Sequence, residues 1–477
     1  MSVWIGIDLG TQSVRALAVT GDGRVLGAAS RPLASYRDGD RHEQDPRDWW
    51  RQLAAACSQA LDGVPPAEIA GVAVDATSGT ILLTSPYGEP LTPALMYDDR
   101  RAAADLDRVN EAGAEVWERL GYRRMQASWG LPKLLWLLRE SGGETGGTAV
   151  RLAHQSDYVN GMLTGHRTAT DLSNALKTGV DLVGEKWPVE VFDALGVPSS
   201  VLPEVVRPGA RIGTVCARAA ELTGIPAGTP VIAGTTDGCA AQLGAGVVEV
   251  GSWNSVLGTT LVLKGVTREL LHDPLGVVYS HRAPDGGWLP GGASSTGTGV
   301  LSTAFPGADL GALGEQAERR GPSDAVIYPL VSPGERFPFS APEARAFTLG
   351  SPADDVEIYA AVLRGAAFVE RLCFDYLDLL GAPTGGPLVL TGGASRSDYG
   401  NQLRADVLGR PVTLRENAEP ALGMAALAAS ANLATTRAVV EPRPFDLGPY
   451  LTFVDELRRR GWLSEHVAAH ARERTGR

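Results

Sequence analysis

The chain opens on short apolar runs broken by small polar turns. Val3–Ile7, Val14–Val19 and Val25–Ala29 are β-rich, and Gly21-Asp22-Gly23 is a turn signal before the third run. The pattern predicts strand, turn, strand, turn, strand, with Asp8 to Arg15 holding the first tight turn. Pro46–Leu61 predicts a helix, because Asp45 can cap it and Pro46 suits its first position. Ile69–Asp75 and Thr80–Thr84 read as buried strands, and Leu131–Arg139 as a helix with Leu and Trp on its apolar face.

The theme returns past the midpoint. Pro230–Ala233 predicts a strand, Thr235 to Gly238 a polar turn, and Cys239–Ala245 a helix. Val247–Val250, Trp253–Leu257 and Thr260–Leu263 predict strands. A long helix follows over Val356–Leu380, then a strand at Leu388–Leu390, a helix at Gln402–Leu408, a strand near Pro411–Leu414 and an Ala-rich helix at Pro420–Ala431. The Arg- and Glu-rich tail from Arg437 reads as a surface helix or a frayed end. Ser141–Gly147 and Asp285–Gly292 read as Gly-rich loops. Strands alternating with helices give an α/β class. The two similar hairpin openings suggest an internal duplication, with one domain over 1–244 and a second over 245–477.

Composition narrows the function. The net charge of -12 lacks the basic face that a general nucleic-acid binder needs. Cys57, Cys216, Cys239 and Cys373 are scattered without metal-ligand spacing and read as buried free thiols. The start shows no charged region followed by a long apolar run, and no stretch reaches the roughly 18 apolar residues of a membrane span. A cytoplasmic protein with neither a membrane nor a nucleic-acid partner is the expectation.

Five short segments could carry chemistry. In Asp8-Leu9-Gly10-Thr11-Gln12-Ser13, Gly10 permits a turn that aims backbone N–H groups at phosphate oxygens, and Asp8 could hold Mg²⁺ through water. An ordinary hairpin turn fits the same residues. Gly258-Thr259-Thr260 echoes that turn in the second half. Asp237 stands at a strand-to-helix turn, where it could serve as a general base or simply cap the helix. Thr391-Gly392-Gly393-Ala394-Ser395-Arg396-Ser397 offers a Gly pair that a flat ring could approach. His42-Glu43-Gln44-Asp45-Pro46 with Trp49-Trp50, and Tyr97-Asp98-Asp99-Arg100-Arg101, combine aromatic, acidic and Arg groups as sugar sites do. For Trp49 and Trp50 core packing is preferred. For Asp99 and Arg101 a sugar site and a solvated charge run stay open.

Together and in this order, the segments resemble the FGGY carbohydrate kinase family over nearly the whole chain. The resemblance implies two actin-like (ribonuclease H-like) domains with ATP and a sugar in a deep interdomain cleft. It implies Asp237 as the catalytic base and Asp8 near Mg²⁺ and the transferred phosphoryl group. Gly10, Thr11, Gln12, Ser13, Gly258 and Thr259 would meet phosphates, and Gly392, Gly393 and Ser397 the adenosine. Asp75, Thr77, Ser78, Tyr97 and Asp99 would meet the sugar. Glycerol kinases place Arg-Glu, and typical xylulokinases Met-His, where Thr77-Ser78 stands, whereas ribulokinases carry an Asp-x-Thr matching Asp75-Ala76-Thr77. The flavour of Thr77 to Thr80, Ser173 to Lys177 and Gly334 to Pro338 is similar to a ribulose/xylulose kinase-like group of plants and cyanobacteria. Two departures stand in the adenosine region: Ala394 where a third Gly is usual, and Gly400 where Trp is usual. D-ribulose is thus the first expected substrate, with D-xylulose, L-ribulose or a polyol as rivals, a sensor or a plain ATPase on the same fold as rivals of other kinds, and a homodimer expected from the family alone.

Overall fold

The computed structural model describes residues 2–141, 149–321 and 323–476. The loop expected at Ser141–Gly147 therefore falls, apart from Ser141, outside the described residues. The chain forms two compact units. The first comprises residues 1–246, 281–288 and 417–435; the second comprises 247–280, 289–416 and 436–477. A single boundary at 244/245 leaves 281–288 and 417–435 in the C-terminal half, whereas their contacts lie with the first unit.

The first unit is built on a six-stranded sheet. Its order is Arg211–Thr214, Pro230–Ile232, Ile69–Ala76, Val3–Leu9, Ser13–Thr20, Val25–Pro32. The first three strands of the chain form the antiparallel meander that the sequence predicts. Ile69–Ala76 then lies parallel to Val3–Leu9, with Asp8 opposite Asp75, and Pro230–Ile232 lies parallel beyond it. A smaller five-stranded sheet carries Tyr36–Asp38, Arg41–Gln44, Ala94–Leu95, Ile81–Thr84 and Arg151–His154. The helix Pro46–Ala60 begins as expected, with Asp45 accepting from the Arg47 N–H and proline in the first turn; Trp49 and Trp50 are buried in the core.

The second unit repeats the plan. Its seven-stranded sheet runs Tyr279–Arg282, Trp288–Ser294, Leu261–Gly265, Trp253–Leu257, Leu388–Thr391, Val412–Arg415, Thr436–Val440. Trp253–Leu257 pairs antiparallel with Leu261–Gly265 and parallel with Leu388–Thr391. That is the arrangement of Val3–Leu9 with Ser13–Thr20 and Ile69–Ala76, so the duplication read from the sequence is present in the topology. The helix Asp355–Leu379 forms the core's spine, capped by Asp354, which accepts from the N–H groups of Val356 and Glu357.

Some expectations differ locally: of the loop read at Asp285–Gly292, the residues from Trp288 onward belong to the strand Trp288–Ser294, which is buried nearly throughout. Val247–Val250 is not a strand. Val248 and Val250 are exposed, and the Glu249 carbonyl accepts from the Ser252 N–H to close a turn, so no sheet face is available to bury them. The tail is not frayed: it adds the strand Thr436–Val440 and the helices Gly448–Arg459 and Glu465–Thr475, and Tyr450, Phe453, Val454 and Leu457 are fully buried. Its many Arg residues masked a 3.6-residue apolar stripe. Among the described residues no helix is long and apolar enough to cross a membrane.

Candidate active site

Parallel pairing brings two carboxylates side by side. Asp8 ends one strand and Asp75 sits near the end of its neighbour, at the same register. No hydrogen-bond donor among the described residues reaches either oxygen of Asp75, which is fully buried. Burial, then the charges of Asp8 and Asp237, hold its proton affinity well above the usual carboxylate range. A proton on Asp75 lets it donate to Asp8, which otherwise would face a second buried charge. Asp8 is itself pushed from 3.8 up to about 6, chiefly by burial; the bond from Asp75 and the charge of Arg15 oppose that rise, while Asp237 and Glu419 add to it.

Asp237 is the first residue of the helix Asp237–Gly244, and Thr236 takes the cap position. Its carboxylate is exposed, with Oδ1 accepting from the Gly238 N–H at 2.7 Å. The helix N-terminus favours its anionic form. The preceding turn is gripped from one side: the Asn174 amide donates to the Thr235 carbonyl at 3.2 Å, and the Ser173 hydroxyl meets Thr236 Oγ1 at 3.2 Å and His281 Nδ1 at 2.8 Å. The Ser-Asn pair noted in the sequence thus positions the Asp237 turn.

The Gly10 turn is equally constrained. The Gly10 N–H donates to the Ser13 carbonyl at 3.1 Å, leaving Thr11 and Ser13 half-buried and Gln12 exposed. Gln44 holds the Thr11 carbonyl at 2.6 Å through Nε2, and its own Oε1 accepts from the buried Trp49 indole at 2.6 Å. The Glu-Gln-Asp-Pro…Trp-Trp segment therefore acts from beneath, as a brace for the turn.

Next to Asp75, Thr77 is already engaged. Its N–H and hydroxyl donate to Gln155 Oε1 at 3.1 and 2.6 Å, and its Oγ1 lies 2.7 Å from that of Thr80. The Ser78 hydroxyl is buried and meets no partner among the described residues. Gly79 takes a φ of +88°, which favours glycine. The buried Lys133 clamps this loop, donating to the Gly79 and Met96 carbonyls at 2.6 and 2.8 Å; burial pushes its amino group down to about 7. Lys133 and Gln155 escaped the sequence reading, and Gln44 stood there only as part of the His42–Pro46 segment, without its role as a brace. A lone Lys within the apolar Leu131–Leu138 stretch was a signal for Lys133, and Gln155 had none. Asp99 is fully buried, with Arg101 across it at 2.7 Å and the His42 N–H donating at 2.8 Å; Arg101 also reaches Glu43 at 2.6 Å. Tyr97 is exposed nearby in sequence.

The second unit carries the other two turns. The Gly258 N–H donates to the Thr260 carbonyl at 3.0 Å, its own carbonyl accepts from the Thr298 N–H at 2.8 Å, and Thr259 is exposed. Gly392 adopts a φ of +82° and a Cβ there would lie 2.6 Å from the Leu257 carbonyl oxygen. Gly258 and Gly393 differ: neither has a positive φ, and a Cβ on either would meet nothing within 4 Å. Internal packing does not require glycine at these two positions. Ser397 caps the helix Asp398–Leu408 by accepting from the Gly400 N–H at 3.1 Å.

Comparison with known proteins identifies the family. The model of the N-terminal domain of the FGGY family of carbohydrate kinases matches residues 3–244, and that of the C-terminal domain matches residues 253–432. A xylulose kinase of Streptomyces rubiginosus is 33% identical over 433 residues, covering 89% of this chain and 87% of its own. The xylulose kinase of Escherichia coli is 27% identical over 439 residues, covering 89% of each chain. The crystal structure of a Rhodospirillum rubrum xylulose kinase aligns with a TM-score of 0.83 at 25% identity over 96% of this chain and 99% of that one. A Plasmodium falciparum glycerol kinase shares the fold at a TM-score of 0.84 and 18% identity, over 97% and 99% of the two chains. With both halves matched and a relative at this identity across most of its length, the chain belongs to the FGGY family and is a carbohydrate kinase.

Proposed function

We propose that the protein transfers the γ-phosphoryl group of ATP to a primary hydroxyl of a ketopentose, with D-xylulose as the first substrate. One observation carries the chemistry: Asp8 and Asp75 stand opposite each other on neighbouring parallel strands, and the charge of Asp237, at a helix start, is near enough to raise the proton affinity of both. Asp237 takes the proton of the sugar hydroxyl as its oxygen bonds to the γ-phosphorus; the bond from that phosphorus to the bridging oxygen breaks, and ADP leaves with the electron pair. The Gly10–Ser13 turn and the open faces of Gly258 and Gly393 suit phosphate and nucleotide contacts. Asp8 would hold Mg²⁺ through water, since that ion keeps waters and phosphate oxygens as ligands. When bound, Mg²⁺ neutralises phosphate charge.

The choice of sugar rests on the relatives. Two Streptomyces proteins at 33% identity are xylulose kinases. D-ribulose is the second reading, favoured by the unpartnered Ser78 hydroxyl where xylulokinases place His. Asp75 and Ser78 are the groups that a sugar can engage; Thr77 and Asp99 hold the walls. ADP release from MgATP, measured across D-xylulose, D-ribulose, L-ribulose, ribitol and glycerol, tests the assignment. A preference for D-xylulose supports it, and a preference for D-ribulose replaces it with the second reading. Folded protein that releases ADP at the same rate without any sugar contradicts both.

A further inference from the structure

The first unit holds a second cavity, of about 490 Å³, that none of the three site carboxylates lines. Its size suits a small metabolite. Arg47, Arg167 and Arg218 line it, with the rings of Trp50, Tyr87 and Tyr158. The half-buried Arg167 and the exposed Arg218 form no ion pair among the described residues, and Arg47 reaches only its neighbour Asp45, at 3.9 Å. Burial and the charge of Arg151 push the Arg167 guanidinium down. Two carboxylates, Glu89 and Asp157, and the ring of His166 are also on the wall. Asp157 is committed, because its Oδ2 accepts from the His154 N–H and lies 2.8 Å from His154 Nδ1. Positive charge is therefore in excess, in a concave site that strengthens it. The Thr168 hydroxyl, also on the wall, is buried and partnerless among the described residues. Tyr87, 91% exposed, offers a ring without any internal packing to justify it.

We propose that this cavity is a binding site for a small phosphomonoester, its phosphate held by Arg167 and Arg218 and its body lying against Tyr87, Trp50 and Tyr158. Guanidinium forks match phosphate oxygens, and flat rings cover an apolar sugar or base face. The site also has a route to the sugar loop. The helix Gln155–Thr164 starts at Gln155, which holds Thr77, and its Asp157, Tyr158, Gly161 and Met162 form part of the cavity wall. This coupling, though not the binding, rests on Thr77 and Ser78 belonging to the sugar site.

Calorimetric titration of the full chain tests the proposal, with D-ribose 5-phosphate, AMP and orthophosphate as probes and the Asp237→Ala variant beside the wild type. One ester binds at millimolar concentration or tighter, and better than orthophosphate; which ester it is separates a sugar phosphate from a nucleotide. Arg167→Gln and Arg218→Gln each weaken that binding at least tenfold, and Asp237→Ala leaves it unchanged. Arg218 is exposed, so its variant keeps the test valid if Arg167→Gln fails to fold. Absence of binding, binding no tighter than orthophosphate, or binding kept at wild-type strength in both Arg variants overturns the site. A saturating ester that leaves the sugar KM unchanged removes the coupling.

Discussion

At the scale of single residues, the account turns on carboxylates kept uncomfortable. Asp8 has a folded pKa of about 6 against an ordinary 3.8. Its folded form therefore binds a proton more tightly than the unfolded chain, so stability is higher at acid pH and falls as pH rises from about 4 through 6. Above that range the ionised group costs up to about 3 kcal/mol. Asp8→Asn should raise the melting midpoint at pH 7.5 by several degrees and change it little at pH 4, while abolishing turnover; a lowered midpoint at pH 7.5 would show that Asp8 is not strained. Ser78 and Thr77 should separate. Ser78→Ala raises the sugar KM with an unchanged melt, whereas Thr77→Val loses the bonds to Gln155 and lowers the melt as well. The sequence displayed Asp8, Asp75, Ser78 and Asp237 because polar residues interrupting β-rich runs are conspicuous. It hid Lys133 and Gln155, and the bracing role of Gln44, because tertiary packing alone brings these side chains beneath a turn.

At the scale of elements, glycines set how closely the first unit's parts approach. A Cβ on Gly6 would stand 1.7 Å from the Ala421 carbonyl oxygen, and one on Gly423 would stand 1.9 Å from that of Ala240. The helix Pro420–Ala429 thus lies directly on the strand Val3–Leu9 and the helix Asp237–Gly244. Gly423→Ala should cost about 1–3 kcal/mol or more, because backbone atoms cannot step aside as a side chain would; a chemical denaturation midpoint unchanged from wild type would mean that the contact is looser. Most elements were legible from apolar runs with caps and breakers. The strand expected at Val247–Val250 failed because β-branched residues favour a sheet only where a face exists to bury them. The tail was read as a surface helix or a frayed end, and the burial of its helices was missed because their apolar stripe is diluted by Arg on the outer face.

At the scale of the whole molecule, the chain is not cut once. Residues 417–435 follow most of the second unit in sequence, yet Ala421, Leu422 and Ala425 pack with Leu17 and Val19 of the first. Such an exchange is invisible to patterning along the chain, which reports faces but not their partners. A fragment of residues 1–246 should therefore lack a cooperative melt by circular dichroism, and joining 417–435 to it through a flexible linker should restore one. A cooperative melt of the bare fragment would show that the returning helix is dispensable.

The central claim is that Asp237 activates a sugar hydroxyl toward ATP. Sugar-dependent ADP release by Asp237→Ala, compared with wild type on its preferred ketopentose, tests it most directly. The account predicts a fall in kcat of about 10²-fold to 10⁴-fold with nucleotide binding and the melt retained. Turnover at the wild-type rate in that variant would remove Asp237 from the chemistry and contradict the account.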